Sequence, residues 1–193
     1  MKKILMTAFC FFYSIVSFSQ LTVTKKQGSS VVTKLGMGIK VNDGSSLFRE
    51  QITINDPNCP VQLSDVGVET SYGSSSYSFK PTGSFTTKEP IVAYEVIHLI
   101  YNVFGEHMKT LSNTEITDVD GQKNFSKYSS WYASENNVSE YFTCVSYVAN
   151  VRTKSGTLWR YSYKALKEQL DKLEITFEEG YLPKKDNDND KEK

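Results

Sequence analysis

Two histidines, three cysteines and two serine- and tyrosine-rich segments are the side chains of this 193-residue chain with types suited to chemistry. His98 and His107 are its two imidazoles, so general-base work near neutral pH or a histidine metal site would have to use them. His98 lies inside the apolar run 91–101, where a core imidazole with a hydrogen-bond partner is expected. His107 follows Glu106 just past a turn and is expected in solvent. Folding the chain about Phe104 sets His98 opposite a residue near Thr110, not His107, so no shared metal site is expected. His-Glu-x-x-His, Gly-x-Ser-x-Gly and phosphate-cradling glycine patterns are missing from the sequence. No catalytic residue, metal ligand or cofactor is therefore assigned, and a small hydrolase using His98 or His107 stands only as an alternative.

Cys59 and Cys144 are the cysteines downstream of residue 19. In an exported protein an even count permits a disulfide. Closing a loop of about 85 residues would contribute about 4 kcal/mol in the chain-entropy model. Two buried free thiols packing as small hydrophobes are the other reading, and the sequence leaves both open. Without a Cys-x-x-Cys pair, thiol–disulfide catalysis and cysteine-rich zinc sites have no support. The tail Asp186-Asn187-Asp188-Asn189-Asp190 alternates acids and amides, but it lacks the glycine and the bidentate glutamate of a calcium loop.

The lead toward binding is aromatic. Ser71-Tyr72-Gly73-Ser74-Ser75-Ser76-Tyr77 and Ser126-Lys127-Tyr128-Ser129-Ser130-Trp131-Tyr132 combine rigid ring area with adaptable hydroxyls, as recognition loops do. Tyr72, Tyr77, Tyr128, Trp131 and Tyr132 are the candidate contact residues, for a protein or for stacking on sugar rings. Against this, Trp131 and Tyr132 could plug the core while the serines terminate strands.

These segments need a compartment and a scaffold. Met1-Lys2-Lys3, an uncharged apolar stretch over residues 4–16 and Ser17-Phe18-Ser19 form the positive, apolar, small-x-small order of a secretory signal peptide cut before Gln20. The expected product is secreted or periplasmic and has no membrane span after cleavage. The full chain carries 22 basic and 22 acidic residues, and loss of Lys2 and Lys3 leaves a charge of −2. That balance excludes binding to nucleic acid or to an anionic membrane surface through bulk charge. An apolar fraction of 39% suffices for a packed core. The expected organisation is a leader at 1–19, an N-terminal segment or edge strands at 20–48, one β-sandwich domain at 49–178 and a disordered tail at 179–193.

Within the domain, Ile52 and Ile54 alternate with polar neighbours as a half-buried strand requires. Residues 61–68 and Tyr77-Ser78-Phe79 are further strands, separated by a polar loop at 70–76. Residues 91–101 are apolar on both faces, which predicts a central strand covered on each side. Asn102-Val103-Phe104-Gly105 is a hairpin turn leading into residues 108–116. A second hairpin joins residues 140–152 to 157–161 through Thr153-Lys154-Ser155-Gly156. Many short strands separated by turns predict an antiparallel sandwich. Tyr163, Leu166, Leu170, Leu173 and Phe177 fall on one stripe at helical period, with Ser162 as N-cap and Glu168–Lys172 as an i,i+4 pair, predicting one C-terminal amphipathic helix.

The residues Leu99-Ile100-Tyr101-Asn102-Val103-Phe104-Gly105 resemble the Tyr-Asp-x-x-Gly hairpin of FxLYD-type and related immunoglobulin-like domains of bacterial secreted proteins. Ile100, Tyr101, Asn102 and Gly105 fall on the pattern's positions, with Asn102 in place of its Asp, and His98 stands where the family has Phe. Residues 151–159 are similar to the closing hairpin of such domains, and the resemblance spans residues 50–162. It implies an immunoglobulin-like β-sandwich without catalytic residues and transmits no ligand. An antibody-type domain is disfavoured: its tyrosine stands two residues before the second cysteine, where this chain has Phe142. The functional expectation is a monomeric, non-catalytic interaction module of the bacterial envelope, its partner an envelope protein or glycan. An inhibitor of a secreted protease is a further alternative.

Overall fold

The computed structural model of the protein describes residues 21–32, 37–73, 76–125 and 131–175. Their elements, in order, are β1 (Thr22–Ser30), β2 (Phe48–Asn55), β3 (Val61–Gly73), β4 (Ser76–Thr87), β5 (Ile91–Asn102) and β6 (His107–Val119). Then come β7 (Gln122–Asn124), β8 (Trp131–Ala133), α1 (Glu135–Glu140), β9 (Tyr141–Thr153), β10 (Leu158–Arg160) and α2 (Tyr163–Lys172). Residues 1–19, read as a leader from the sequence, and Tyr128, Phe177 and the acidic tail lie outside the described residues.

The strands form two stacked sheets, an all-β sandwich as the alternation predicts. One sheet has the order β1-β2-β9-β5-β6, with β10 also on β9. The other pairs β3 with β4, and β4 carries β7 and β8 along its far edge. One pairing departs from the antiparallel expectation: β2 runs parallel to β9, from Glu50 opposite Thr143 to Ile54 opposite Tyr147. Alternation within a strand reports which face is buried and carries no information on strand direction, so this pairing is set by topology.

Alternation along β5 and β9 assigns the faces. Val96 and Ile100, with Cys144 and Val148, point toward the second sheet. Ile97, Leu99 and Tyr101, with Val145 and Tyr147, point away from it. That outer face is covered by α2, whose Leu166 and Leu170 are fully buried. Each contributes about 2 kcal/mol of apolar burial. The Ser162 hydroxyl accepts from the Ala165 N–H as N-cap, and the i,i+4 ion pair that forms is Lys167–Asp171. β5 is thus paired on both edges and covered on both faces, which explains its unbroken apolar run.

The β5–β6 turn forms as its residues require. Gly105 takes φ +78°, and the Asn102 side-chain oxygen accepts from the N–H groups of Phe104 and Glu106. The polar stretch 70–76 is a correction. Thr70 to Gly73 continue β3 against β4, and the Ser71 and Ser78 hydroxyls hydrogen-bond across the strands. Serine-rich composition suggested a loop, but cross-strand pairs on a solvent-facing surface tolerate hydroxyls well. Pro81, which has no N–H to offer, sits on β4 between the stretch paired to β8 and the stretch paired to β7.

Two side-chain amides join the sheets along one side. The Gln51 oxygen accepts from the Val68 N–H (3.0 Å) while its nitrogen approaches the Val68 carbonyl (3.4 Å). Asn55 makes the same double contact with Leu63, at 2.8 and 2.9 Å. Each amide imitates a neighbouring strand and satisfies backbone groups on the edge of β3 that faces away from β4. The fit is close: a Cβ on Gly67 would lie 2.5 Å from the Gln51 oxygen.

Candidate functional site

The histidine and cysteine chemistry resolves into one buried chain between the sheets. His98 of β5 stands opposite Ser146 of β9, and its Nδ1 is 2.8 Å from the Ser146 hydroxyl, which is 3.5 Å from the Cys144 sulfur. All three residues are sealed from solvent. Phe125 and Trp131 stand edge-on to the His98 ring, at 6.1 and 6.4 Å. The fold therefore builds a Ser–His pair of the kind a hydrolase would use, but in a dry, uncharged setting. Burial drives the His98 pKa down to about 3, and an imidazole that basic only at acid pH is a poor proton acceptor at neutrality. Burial likewise pushes the Cys144 thiol up to about 12, so it carries no thiolate at neutral pH.

His107 stands opposite Tyr101 with its ring 5.5 Å from the Tyr101 ring, and its Nε2 is 3.0 Å from the Thr110 hydroxyl. The two histidines are thus placed apart, His98 facing inward opposite Leu111. Of the alternatives left open for the cysteines, the structure has the free thiols. Cys59 and Cys144 are buried in different core clusters, at opposite ends of the sandwich.

The binding candidates divide. β8 pairs with β4, so Phe79, Ser78 and Tyr77 stand opposite Trp131, Tyr132 and Ala133, while Tyr72 stands opposite Tyr77 on the other side. The two aromatic segments meet on one sheet, as a shared surface requires. Alternation then sends the neighbours to different faces. Trp131 follows Phe79 inward and packs with Met108 and Ala133 on the core cluster around Tyr141 and Cys144. Tyr132 turns outward and is 80% exposed. Tyr77 is half-buried. Of the two, Tyr132 is thus the side chain open to contact, and Trp131 packs on the core. Accordingly, Trp131→Ala should lower unfolding stability by about 2–3 kcal/mol, whereas Tyr132→Ala should shift it by less than about 0.5 kcal/mol, both read from denaturant midpoints at constant m-value.

Residues that the sequence reading overlooked lie at the same end. Eight large apolar side chains are exposed among the described residues, and six are gathered there: Met37, Val41, Phe48, Val103, Phe104 and Tyr132. The register shows why. β2 and β9 begin, and β5 ends, at this end, with Glu50 opposite Thr143 and Asn102 opposite Tyr141. Phe48 opens β2 opposite Ser30, where β1 stops, and Met37 and Val41 lie on the arm between those strands. The β3–β4 hairpin reaches the same place, since the Phe79 and Tyr141 rings meet at 5.6 Å. Phe104, 83% exposed, is the most prominent of the group, at the tip of the Asn102–Gly105 turn. Its signal was legible, because two apolar residues at the tip of a tight turn have no core to enter.

One buried cation fixes this end. Arg49 is 2% exposed. Its Nε donates to the Tyr141 carbonyl (3.0 Å), Nη1 to the Ser29 hydroxyl (2.8 Å) and the Ser30 carbonyl (3.2 Å), and Nη2 to the Val138 carbonyl (2.9 Å). The guanidinium carbon also lies 5.0 Å from the Tyr141 ring centroid. One side chain thereby ties the end of β1, the end of α1 and the start of β9. Compared with models of protein families, with curated proteins and with solved structures, the chain matches none.

Proposed function

We propose that this protein is an exported, non-catalytic binding module of the bacterial envelope that engages an envelope protein through its apolar end. The observation that carries the reading is the gathering of six exposed apolar side chains at one end of the sandwich. Exposed apolar side chains concentrated at one end of a domain commonly mark an interaction site. The group mixes Met and Val with Phe and Tyr, chemistry that suits a protein surface better than the polar faces of a sugar. The burial of His98, Ser146 and Cys144 supports a binding role over hydrolysis, because the groups a nucleophilic mechanism would recruit are out of reach of substrate. Export is supported by the leader-like order of residues 1–19.

Phe104→Ser combined with Tyr132→Ser is the test, since both side chains are at least 80% exposed and neither supports the core. Wild-type protein should retain one envelope protein that the double variant loses by tenfold or more, at an unchanged melting temperature. That protein, purified, should bind the wild type directly. Equal retention by both forms, or hydrolytic turnover that vanishes in His98→Gln, would overturn the reading.

A further inference from the structure

Sheet edges expose unpaired N–H and C=O groups and invite pairing with other chains, so folded proteins guard them. Three edges of this sandwich are guarded, each by a different device. β1 carries Lys25 and Lys26 exposed along its length. The outward groups of β3 at Leu63 and Val68 are taken by Asn55 and Gln51. The far edge of β4 is covered by two strands of three residues each, β7 and β8, which offer little length for further pairing.

β6 is different. It ends the order of its sheet, it is 13 residues long, and its register with β5 is regular from Lys109 to Ile116. No proline or lysine guards that regular stretch beyond Lys109, whose amine turns to the Tyr132 carbonyl. Its outer face presents Ser112, Thr114, Ile116 and Asp118, all exposed, and Ile116 is 87% exposed. The acids along it are already neutralised: Glu115 pairs with Lys123 at 2.6 Å, and Asp118 with Lys154 at 2.7 Å. Neither acid of β6 therefore brings an unpaired charge to the edge.

We infer that the β6 edge is a dimerisation surface on which a second copy of this chain pairs its own β6, antiparallel about a two-fold axis near residues 114–116. The edges themselves select this occupant. A chain with two long open edges would grow head to tail into a filament, but among the described residues Lys25 and Lys26 on β1 and the three-residue length of β10 leave β6 as the one long open edge. Pairing like with like uses both and closes at two. The product is a continuous sheet across both copies, in which the exposed Ile116 side chains lie near the axis and shield each other. The apolar ends remain free, so this dimer and the proposed binding role stand or fall separately.

Sedimentation equilibrium of the chain beginning at Gln20 tests the inference, alongside amide hydrogen exchange. The wild type should show a monomer–dimer equilibrium, and the β6 amides should gain protection with concentration. Ile116→Lys, a change at an exposed side chain, should weaken dimerisation at least tenfold with the melting temperature unchanged. As a second variant, Ile116→Cys should form a disulfide-linked dimer under mild oxidation while keeping its far-UV circular dichroism. A wild type that stays monomeric to its solubility limit would overturn the inference. So would a dimer that Ile116→Lys leaves intact without concentration-dependent protection of β6.

Discussion

Arg49→Met is expected to destabilise the protein by about 3–5 kcal/mol, enough to unfold a marginal domain at 37 °C. The guanidinium makes four hydrogen bonds, three of them to carbonyls, in a site where 2% of the residue reaches solvent. Methionine matches the length of the stem but donates nothing, so the carbonyls of Ser30, Val138 and Tyr141 lose a charged donor. Each buried acceptor stripped of its partner costs about 1–3 kcal/mol, and water entering the gap recovers part of it. Burial itself lowers the Arg49 pKa, while the Tyr141 hydroxyl and Glu69 favour the charged form, so the site is a compromise that loses more from removal of the donor than it gains from removal of the charge. Chemical denaturation at pH 7 checks the magnitude, and a loss under 1 kcal/mol would show that the arm and α1 hold without it. Because Arg49 ties β1, α1 and β9 together, hydrogen exchange in Arg49→Met should rise first around residues 28–32 and 137–142.

Acid should destabilise the protein well above the pH at which its carboxylates titrate. The cause is His98, whose folded pKa lies near 3 against about 6.5 for an exposed imidazole. Its neighbours Ser146, Phe125 and Trp131 carry no charge to stabilise an imidazolium. Between these two values the unfolded chain binds a proton that the folded chain refuses. Stability contributed by the neutral ring is therefore complete above pH 6.5 and is lost as pH falls toward 3. The slope is about 1.4 kcal/mol per pH unit, so about 3 kcal/mol is gone by pH 4.5. His98→Gln keeps a group that can meet the Ser146 hydroxyl and removes the titration. It should be less stable than wild type at pH 7.5, yet its denaturation midpoint should change far less between pH 6.5 and 4.5. Parallel pH profiles for the two proteins would refute the assignment of the acid sensitivity to His98.

Local pattern was enough for much of the architecture. The period-two alternation, the Asn102–Gly105 and Thr153–Gly156 turns and the Ser162-capped stripe each describe a residue's relation to its near neighbours, and those relations survive folding. Burial of His98 was legible for the same reason, since an imidazole within a run apolar on both faces has nowhere else to go. The fate of Ser71–Gly73 was not, because a serine-rich strand is told from a serine-rich loop only by the partner strand that satisfies its backbone.

The sequence by itself determined the elements, the central position of β5 and the sealing of its histidine, because side-chain periodicity and turn chemistry act over a few residues. The tertiary structure alone decided the parallel pairing of β2 with β9, the meeting of Ser146 with His98 from 48 positions away, and the burial of Arg49 among three separate segments. It also decided that Trp131 turns inward while Tyr132 and Phe104 crown one end. Those facts depend on which distant strands become neighbours, and the energy that selects them comes from packing across the whole interior, which no local window contains.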